Sequence, residues 1–356
     1  MVTASMRAYI AEQPAALRRQ ETETVLPTTL PRGPWRKLWF VGSGTSLYAG
    51  MVAANLCERL LLVDSEAISS QEFQLDVPDA QLGPDTLAVA ISQGGATVTL
   101  TEAMTRARRL GAATVGVTAE PASPLAQVVE YVVHSRTGPE EVPPKTKGFT
   151  TTAAAACRFG LALARMAGVD TSECDRLAAA LAALPDRTAV ALAAADRAAP
   201  LLAARLQGAA GYFVAGTGTL LPAAYEGALK ILETAKLLAE GRELEEILHG
   251  YFNAIGPETG LILLAGPGAP PEKVAAFCRA AGMVGAPLVT VSLPGAPLVE
   301  ADLALPDPGH AALAPLLGIL PVQILSYHLA LARGKDPDRT RYPELYAVFR
   351  TKTTHG

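Results

Sequence analysis

The sequence predicts an α/β chain built as two parallel-sheet subdomains in tandem, each a three-layer α/β/α sandwich. Three observations predict it. Short, continuous apolar runs such as 38–41 and 87–91 alternate with helical stretches, the pattern of strands covered on both faces. Such runs lead into turns rich in Gly, Ser and Thr before a helix begins. The rhythm then restarts: FVGSGTS at 40–46 is echoed by FVAGTGT at 213–219, the mark of an internal duplication about 130–150 residues long.

Residues 1–34 hold one helix and a Pro-rich connector with Pro27, Pro31 and Pro34. A first subdomain, 35–168, opens with the strand at 38–41, a Gly/Ser/Thr turn and a helix from about Leu47. It continues through the strand at 87–91, a second polar Gly loop and a helix, then the strands ATVGVTAE and YVVHS. Ala-rich helices fill 151–207, of which 169–207 link the halves. The second subdomain, 208–335, begins GYFVAGTGTLLPAAYEGALKILE: strand, Gly turn, and a helix that reads on through TAKLLAEG. Strands GLILLAGPG and PLVTVSL follow, separated by a helix at 271–283. An amphipathic helix at 315–333 and a polar tail, 336–356, complete the chain.

Half of the 356 residues are hydrophobic and 18% are charged, which suits about two domains and excludes global disorder. A net charge of −4 gives no electrostatic footprint for nucleic acid or an anionic membrane. The longest apolar runs are cut short, TTAAAACRFGLALA by Arg158 and TGLILLAGPG by Gly and Pro, so no membrane span and no targeting segment is expected. The four cysteines are scattered without a CxxC pair, which fits a reducing, cytoplasmic setting and no Cys-rich metal site.

Two loops carry the pattern of an anion cradle. Gly42-Ser43-Gly44-Thr45-Ser46 and Ser92-Gln93-Gly94-Gly95-Ala96-Thr97 each follow a strand and open a helix, where free amides and hydroxyls converge on the carboxyl edge of the sheet. The plain alternative is that these hydroxyls are ordinary helix caps. Neither a P-loop GK[ST] nor a GxGxxG dinucleotide fingerprint is present. In the second half, Glu226, Lys230 and Glu233 fall at i, i+4 and i+7 on one helix face. They are either a solvated ion-pair stripe or, because the helix leaves a strand-end turn, a catalytic face. His249 follows in ELEEILHG; a carboxylate and an imidazole together suit proton transfer on a sugar. His134, His310, His328 and His355 read as structural or solvent-facing, and no metal-ligand spacing occurs.

Several motifs together resemble the tandem sugar isomerase (SIS) domain proteins. That family includes the isomerase half of glutamine–fructose-6-phosphate aminotransferase, glucosamine-6-phosphate deaminases and fructosamine-6-phosphate deglycases. SQGGATVT resembles SQSGxTxDT, KTKGFTTT resembles STKAFTTQ, GTGTLLPAAYEGALKILE resembles GRGxxYPxALEGALKLKE, and ELEEILHG resembles xxGELKHG. The resemblance implies that Gly44, Thr45, Ser46, Ser92, Gln93, Gly94 and Thr97 bind a sugar phosphate. It implies that Glu233 shuttles the proton between C1 and C2, that Lys230 assists near the hydroxyls, and that His249 opens the ring. Glu226, Lys145 and Arg341 are further candidates for substrate contact. It also implies a homodimer with a shared site and no cofactor.

The departures bear on the reaction. Gly94 stands where the family has serine, Lys145 where it has a small hydroxyl or amide residue, Thr217 where it has Arg, and Tyr251 where Pro usually follows His-Gly. The second half carries GPGAPP instead of a hydroxyl loop, so one anion site per chain is expected. Arg341-Tyr342 resembles the RRY tail of deaminases and deglycases more than the transferase tail PRNLAKSV, whose lysine position holds Leu345. The expectation is therefore conversion of glucosamine 6-phosphate to fructose 6-phosphate and ammonia. The alternatives are an aldose–ketose isomerase of a sugar phosphate or sulfonate, a deglycase, an ammonia-dependent transferase subunit, and a non-catalytic phosphosugar sensor.

Overall fold

The computed structural model describes residues 5–23, 25–298, 300–349 and 351. Lys352 and His355 lie outside the described residues. The chain divides into two compact units, one of Ala15–Glu140, Lys147–Ala182 and Tyr342–Gly356, the other of Met1–Pro14, Glu141–Thr146 and Ala183–Arg341. Helix α1 (Met6–Thr22) precedes the first sheet.

The first unit is built on β1 (Lys37–Gly42), α2 (Thr45–Leu61), β2 (Asp64–Ser69), α3 (Ser70–Leu75), β3 (Thr86–Ile91), α4 (Val98–Arg109), β4 (Ala113–Thr118), α5 (Pro124–Val128), β5 (Tyr131–His134) and α6 (Lys147–Met166). Its five strands are parallel in the order β2-β1-β3-β4-β5. β1 and β3 are buried at every residue, which is why their sequences run apolar without alternation. Trp39, Val41, Ala88 and Ala90 on one face pack with Phe73, Leu100 and Met104, the Trp39 and Phe73 rings meeting edge to face at 6.0 Å. Against α2, an added Cβ at Gly160 of α6 would stand 2.8 Å from Cys57 Sγ, so glycine there sets how closely the two helices approach.

Helix α7 (Thr171–Leu206) leads into the second unit, with β6 (Gly211–Gly216), α8 (Leu221–Ala235), β7 (Leu238–Glu243), α9 (Leu244–Leu248), β8 (Thr259–Ala265), α10 (Pro271–Met283), β9 (Leu288–Ser292), β10 (Leu303–Ala304) and α11 (Ala314–Ala332). A short α12 (Leu345–Phe349) lies in the tail. The strand order β10-β9-β8-β6-β7 repeats the first topology position for position. The α/β reading and the duplication thus hold at the level of strand order.

Helix α8 is seated closely on two sides. An added Cβ at Gly241 of β7 would stand 2.6 Å from Ala224 O and the Tyr225 backbone, and one at Gly227 would stand 2.8 Å from Val322 Cγ1 of α11. Thr234 Oγ1 also donates to Ser326 O of α11 at 3.1 Å.

Two sequence expectations are corrected. The helix read through TAKLLAEG stops at Ala235, because Lys236 takes the left-handed conformation, φ 60°, and the chain turns into β7. The helix α11 is not amphipathic; it is buried over nearly its whole length, as a core helix of a layered fold is. Two stretches, Thr171–Leu206 and Ala311–Ala332, are long and apolar enough to cross a membrane by length and composition, but the second is 89% buried inside the protein, so its apolar surface is already covered.

Candidate functional site

The order β2-β1-β3 places the topological switch point of the first sheet between β1 and β3, where chain direction across the sheet reverses. The two hydroxyl loops are the connections that leave these two strands. Both lie at the carboxyl edge, where ligands of parallel sheets gather. Their hydroxyls are not helix caps: α2 has Gly44 at its N-cap, φ 55°, and α4 has Thr97, and neither side chain makes a capping bond. The capping alternative therefore fails, and both helices turn their N-terminal poles toward this edge.

Ser92 is buried and its Oγ accepts from Gly95 N at 3.1 Å, which leaves the hydroxyl proton to donate. Thr45, Ser46 and Thr97 are half-buried, and Gly44 and Gly94 are exposed. An added Cβ at Gly94 meets nothing within 4 Å, so the hydroxyl the loop lacks is missing from open space. One α4 donor is already engaged: Val98 N donates to Thr351 O of the C-terminal segment at 3.3 Å.

Gln93 shows a partner that the sequence did not. Its Nε2 donates to Glu140 Oε2 at 3.1 Å, while its buried Oε1 has no hydrogen-bond partner. Glu140 also accepts from Lys147 N at 3.1 Å and Gly148 N at 3.0 Å, closing the N-terminus of α6. A carboxylate forty-seven positions from Gln93 belongs to no local motif, so only the fold reveals it. Lys147, 1% exposed, is the other missed residue; a lone charge at the start of a helix that carries no other before Arg158 was its available signal.

In the second unit, α8 brings Glu226, Lys230 and Glu233 together. Lys230 Nζ lies 3.2 Å from Glu226 Oε1 and 2.5 Å from Glu233 Oε2; the side chains of Lys230 and Glu226 are wholly buried, whereas Glu233 is 32% exposed. The solvated-stripe alternative is excluded by this burial. Burial by itself would favour neutral Lys230, but the two carboxylates outweigh it and hold the ammonium well above the usual lysine range. Lys230 is therefore a fixed positive charge and not a base. Glu226 and Lys230 have no exposed side-chain surface, and Glu233 is the member of the cluster open to solvent.

His249 follows α9 with its side chain 68% exposed. Its Nδ1 lies 2.9 Å from Glu245 O. A carbonyl only accepts, so Nδ1 carries the proton in the neutral ring and Nε2 presents a lone pair. Glu245 also pairs with Lys273 at 2.7 Å, which tethers this short segment to α10. Lys145 is half-buried and donates to Val142 O at 2.9 Å, so its amine is held by its own loop. Arg341 is exposed.

A family model described as SIS domain matches residues 34–165 and 206–333. An isomerizing glutamine–fructose-6-phosphate aminotransferase of Pyrobaculum aerophilum is 32% identical over 335 residues, 93% of this chain and 54% of that protein. The chain spans about half the length of the curated relatives it matches. Among solved structures, the C-terminal domain of glucosamine-fructose-6-phosphate aminotransferase from Francisella tularensis is similar with TM-score 0.83 and 23% identity, covering 94% of this chain and 98% of that one. A Clostridium difficile 630 protein described as a phosphosugar isomerase gives TM-score 0.85 and 21% identity, covering 99% of each chain. The two structural likenesses speak to the fold.

Proposed function

The chain belongs to the SIS-domain family, and from that premise we propose that it is a phosphosugar isomerase that converts glucosamine 6-phosphate and water to fructose 6-phosphate and ammonia. The observation that carries this reading is the partly exposed Glu233 carboxylate bonded to a wholly buried ammonium. A sensor needs only an anion cradle; a carboxylate hydrogen-bonded to a buried ammonium and open to solvent on its other side suits proton transfer.

The phosphate is held by donors on the first unit: the hydroxyls of Thr45, Ser46, Ser92 and Thr97, the Gln93 side chain and the amides of Gly44 and Gly94. His249 Nε2 takes the O1 proton of the cyclic sugar and returns a proton to the ring oxygen, which opens it. Glu233 then removes the C2 proton while O1 takes up a proton, giving an enolamine. Glu233 delivers its proton to C1 as the nitrogen gives one up, which replaces the proton taken by O1 and leaves an imine at C2. The resulting C2 imine is hydrolysed by water, releasing ammonia and leaving the ketose. Lys230 holds the Glu233 carboxylate in place through its ammonium. The enzyme works as a homodimer in the cytoplasm, and Arg341 contributes a cation to the substrate. Plain aldose–ketose isomerisation uses the same Glu233 chemistry and differs only in whether C2 carries nitrogen.

The test is incubation of the purified protein with glucosamine 6-phosphate, glucose 6-phosphate and a fructosamine 6-phosphate, with ammonia and ketose measured together. Ammonia and fructose 6-phosphate from the first compound are expected. Ketose without ammonia from glucose 6-phosphate would assign plain isomerisation. Binding without turnover of any of them would sink the enzymatic reading.

A further inference from the structure

Lys236 ends the helix that carries Glu233, and its side chain makes two bonds. Its Nζ donates back to the carbonyl of Glu233 itself and to Arg339 O, 103 positions later, at 2.6 Å. The Glu233 carbonyl is one of the orphan acceptors at a helix C-terminus. Arg339 belongs to a turn built by Asp336, whose Oδ1 accepts from Asp338 N at 2.9 Å and whose Oδ2 pairs with Arg339 Nε at 3.2 Å. Asp338 in turn accepts from Met6 N at 2.6 Å, and Pro337 is buried. The charged groups facing Lys236 are thus Glu233 on its own helix and Asp336 on the turn, with Lys230 on the far side of Glu233. The backbone of Lys236 sits at φ 60°, a conformation that suits glycine at a helix end far better than lysine. At this helix end the lysine side chain makes both of the bonds described above.

We propose that Lys236 is a positioning residue that ties the reactive carboxylate's end of α8 to the segment 336–341, so that Glu233 is set for proton transfer only when this segment is docked. This rests on the reading of Glu233 as the acid–base group. One ammonium bridges the two carbonyls, so loosening of the segment removes a constraint from the last turn of α8.

The strained backbone supplies a clean test. Lys236→Gly removes the ammonium yet relieves the left-handed strain, so the variant folds. Lys236→Arg keeps a donor at the end of a long stem. Wild type and both variants are compared by steady-state kinetics with glucosamine 6-phosphate across pH, and by amide hydrogen exchange of 336–341. In Lys236→Gly, kcat is expected to fall roughly 10- to 100-fold, the scale of a slightly misplaced catalytic group. The acid limb of the kcat profile should move to higher pH, because a cation beside Glu233 is gone, and exchange in 336–341 should quicken. Lys236→Arg should restore most of all three. Wild-type kcat and an unmoved acid limb in Lys236→Gly would overturn the proposal, as would equal impairment in both variants. If the wild type turns over no phosphosugar, the functional reading fails by itself. The exchange comparison then still decides the tether: unchanged protection of 336–341 in Lys236→Gly refutes it, and faster exchange upholds it.

Discussion

Replacing Lys230 by methionine tests whether the α8 cluster is a buried, charge-balanced unit. Methionine nearly matches the lysine stem, so the change removes charge rather than volume. It leaves Glu226, with no exposed side-chain surface, facing a thioether. Breaking a buried pair from one side costs about 3–5 kcal/mol, against about a few tenths for an exposed pair. The pH dependence identifies the cause. In the wild type, Lys230 is held above the ordinary lysine range, so its contribution is complete below about pH 10.4 and is lost only as pH rises through the still higher native value. Wild-type stability owes nothing to this group's titration near neutrality. In Lys230→Met, Glu226 loses its ammonium partner while staying buried, which favours its protonated form. Its native pKa then rises above the unfolded value of about 4.3, so the variant regains stability as pH falls, by up to about 1.4 kcal/mol per pH unit. Urea unfolding of the variant between pH 5 and 8 reads this directly, and Glu226→Gln added to it should remove the slope. A loss under about 1 kcal/mol at pH 7, or one independent of pH, would refute the reasoning.

Three further outcomes are expected. Glu233→Gln should lower kcat by about 10²–10⁴-fold with little change in melting temperature, because that side chain is partly exposed; retained turnover would remove the proton shuttle. Gly94→Ser places a hydroxyl in space where an added Cβ meets nothing within 4 Å, and should tighten inhibition by inorganic phosphate about tenfold, the worth of one hydrogen bond to a charged group. Gly227→Ala drives a methyl to 2.8 Å from Val322 Cγ1 and should cost about 1–3 kcal/mol in thermal unfolding; a neutral effect would mean that α8 and α11 have room to separate.

The parts of the fold legible in the sequence were those buried on both faces. β1, β3 and β8 are apolar throughout because neighbours cover every residue. β2 and β7, with sequences DSEAIS and LAEGRE, escaped notice because outer strands expose part of each face and carry charge there. In β7 the helical propensity of Lys, Leu, Ala and Glu also concealed the stop at Lys236, which is fixed by a backbone conformation and two carbonyl contacts rather than by composition. The hydroxyl loops and the α8 triad were legible because each is contiguous. Glu140 was not, since it reaches Gln93 only through the fold, and the burial of Glu226 and Lys230 required knowing which face α11 covers.

The close seating of α8 constrains how this protein can diversify. With Gly241 beneath it and Val322 pressed against Gly227, the helix cannot be shimmed outward without disturbing strand and helix neighbours at once. Sequence drift in descendants would therefore settle more readily in open connections such as that at Gly94, where an added Cβ meets nothing within 4 Å, than in α8.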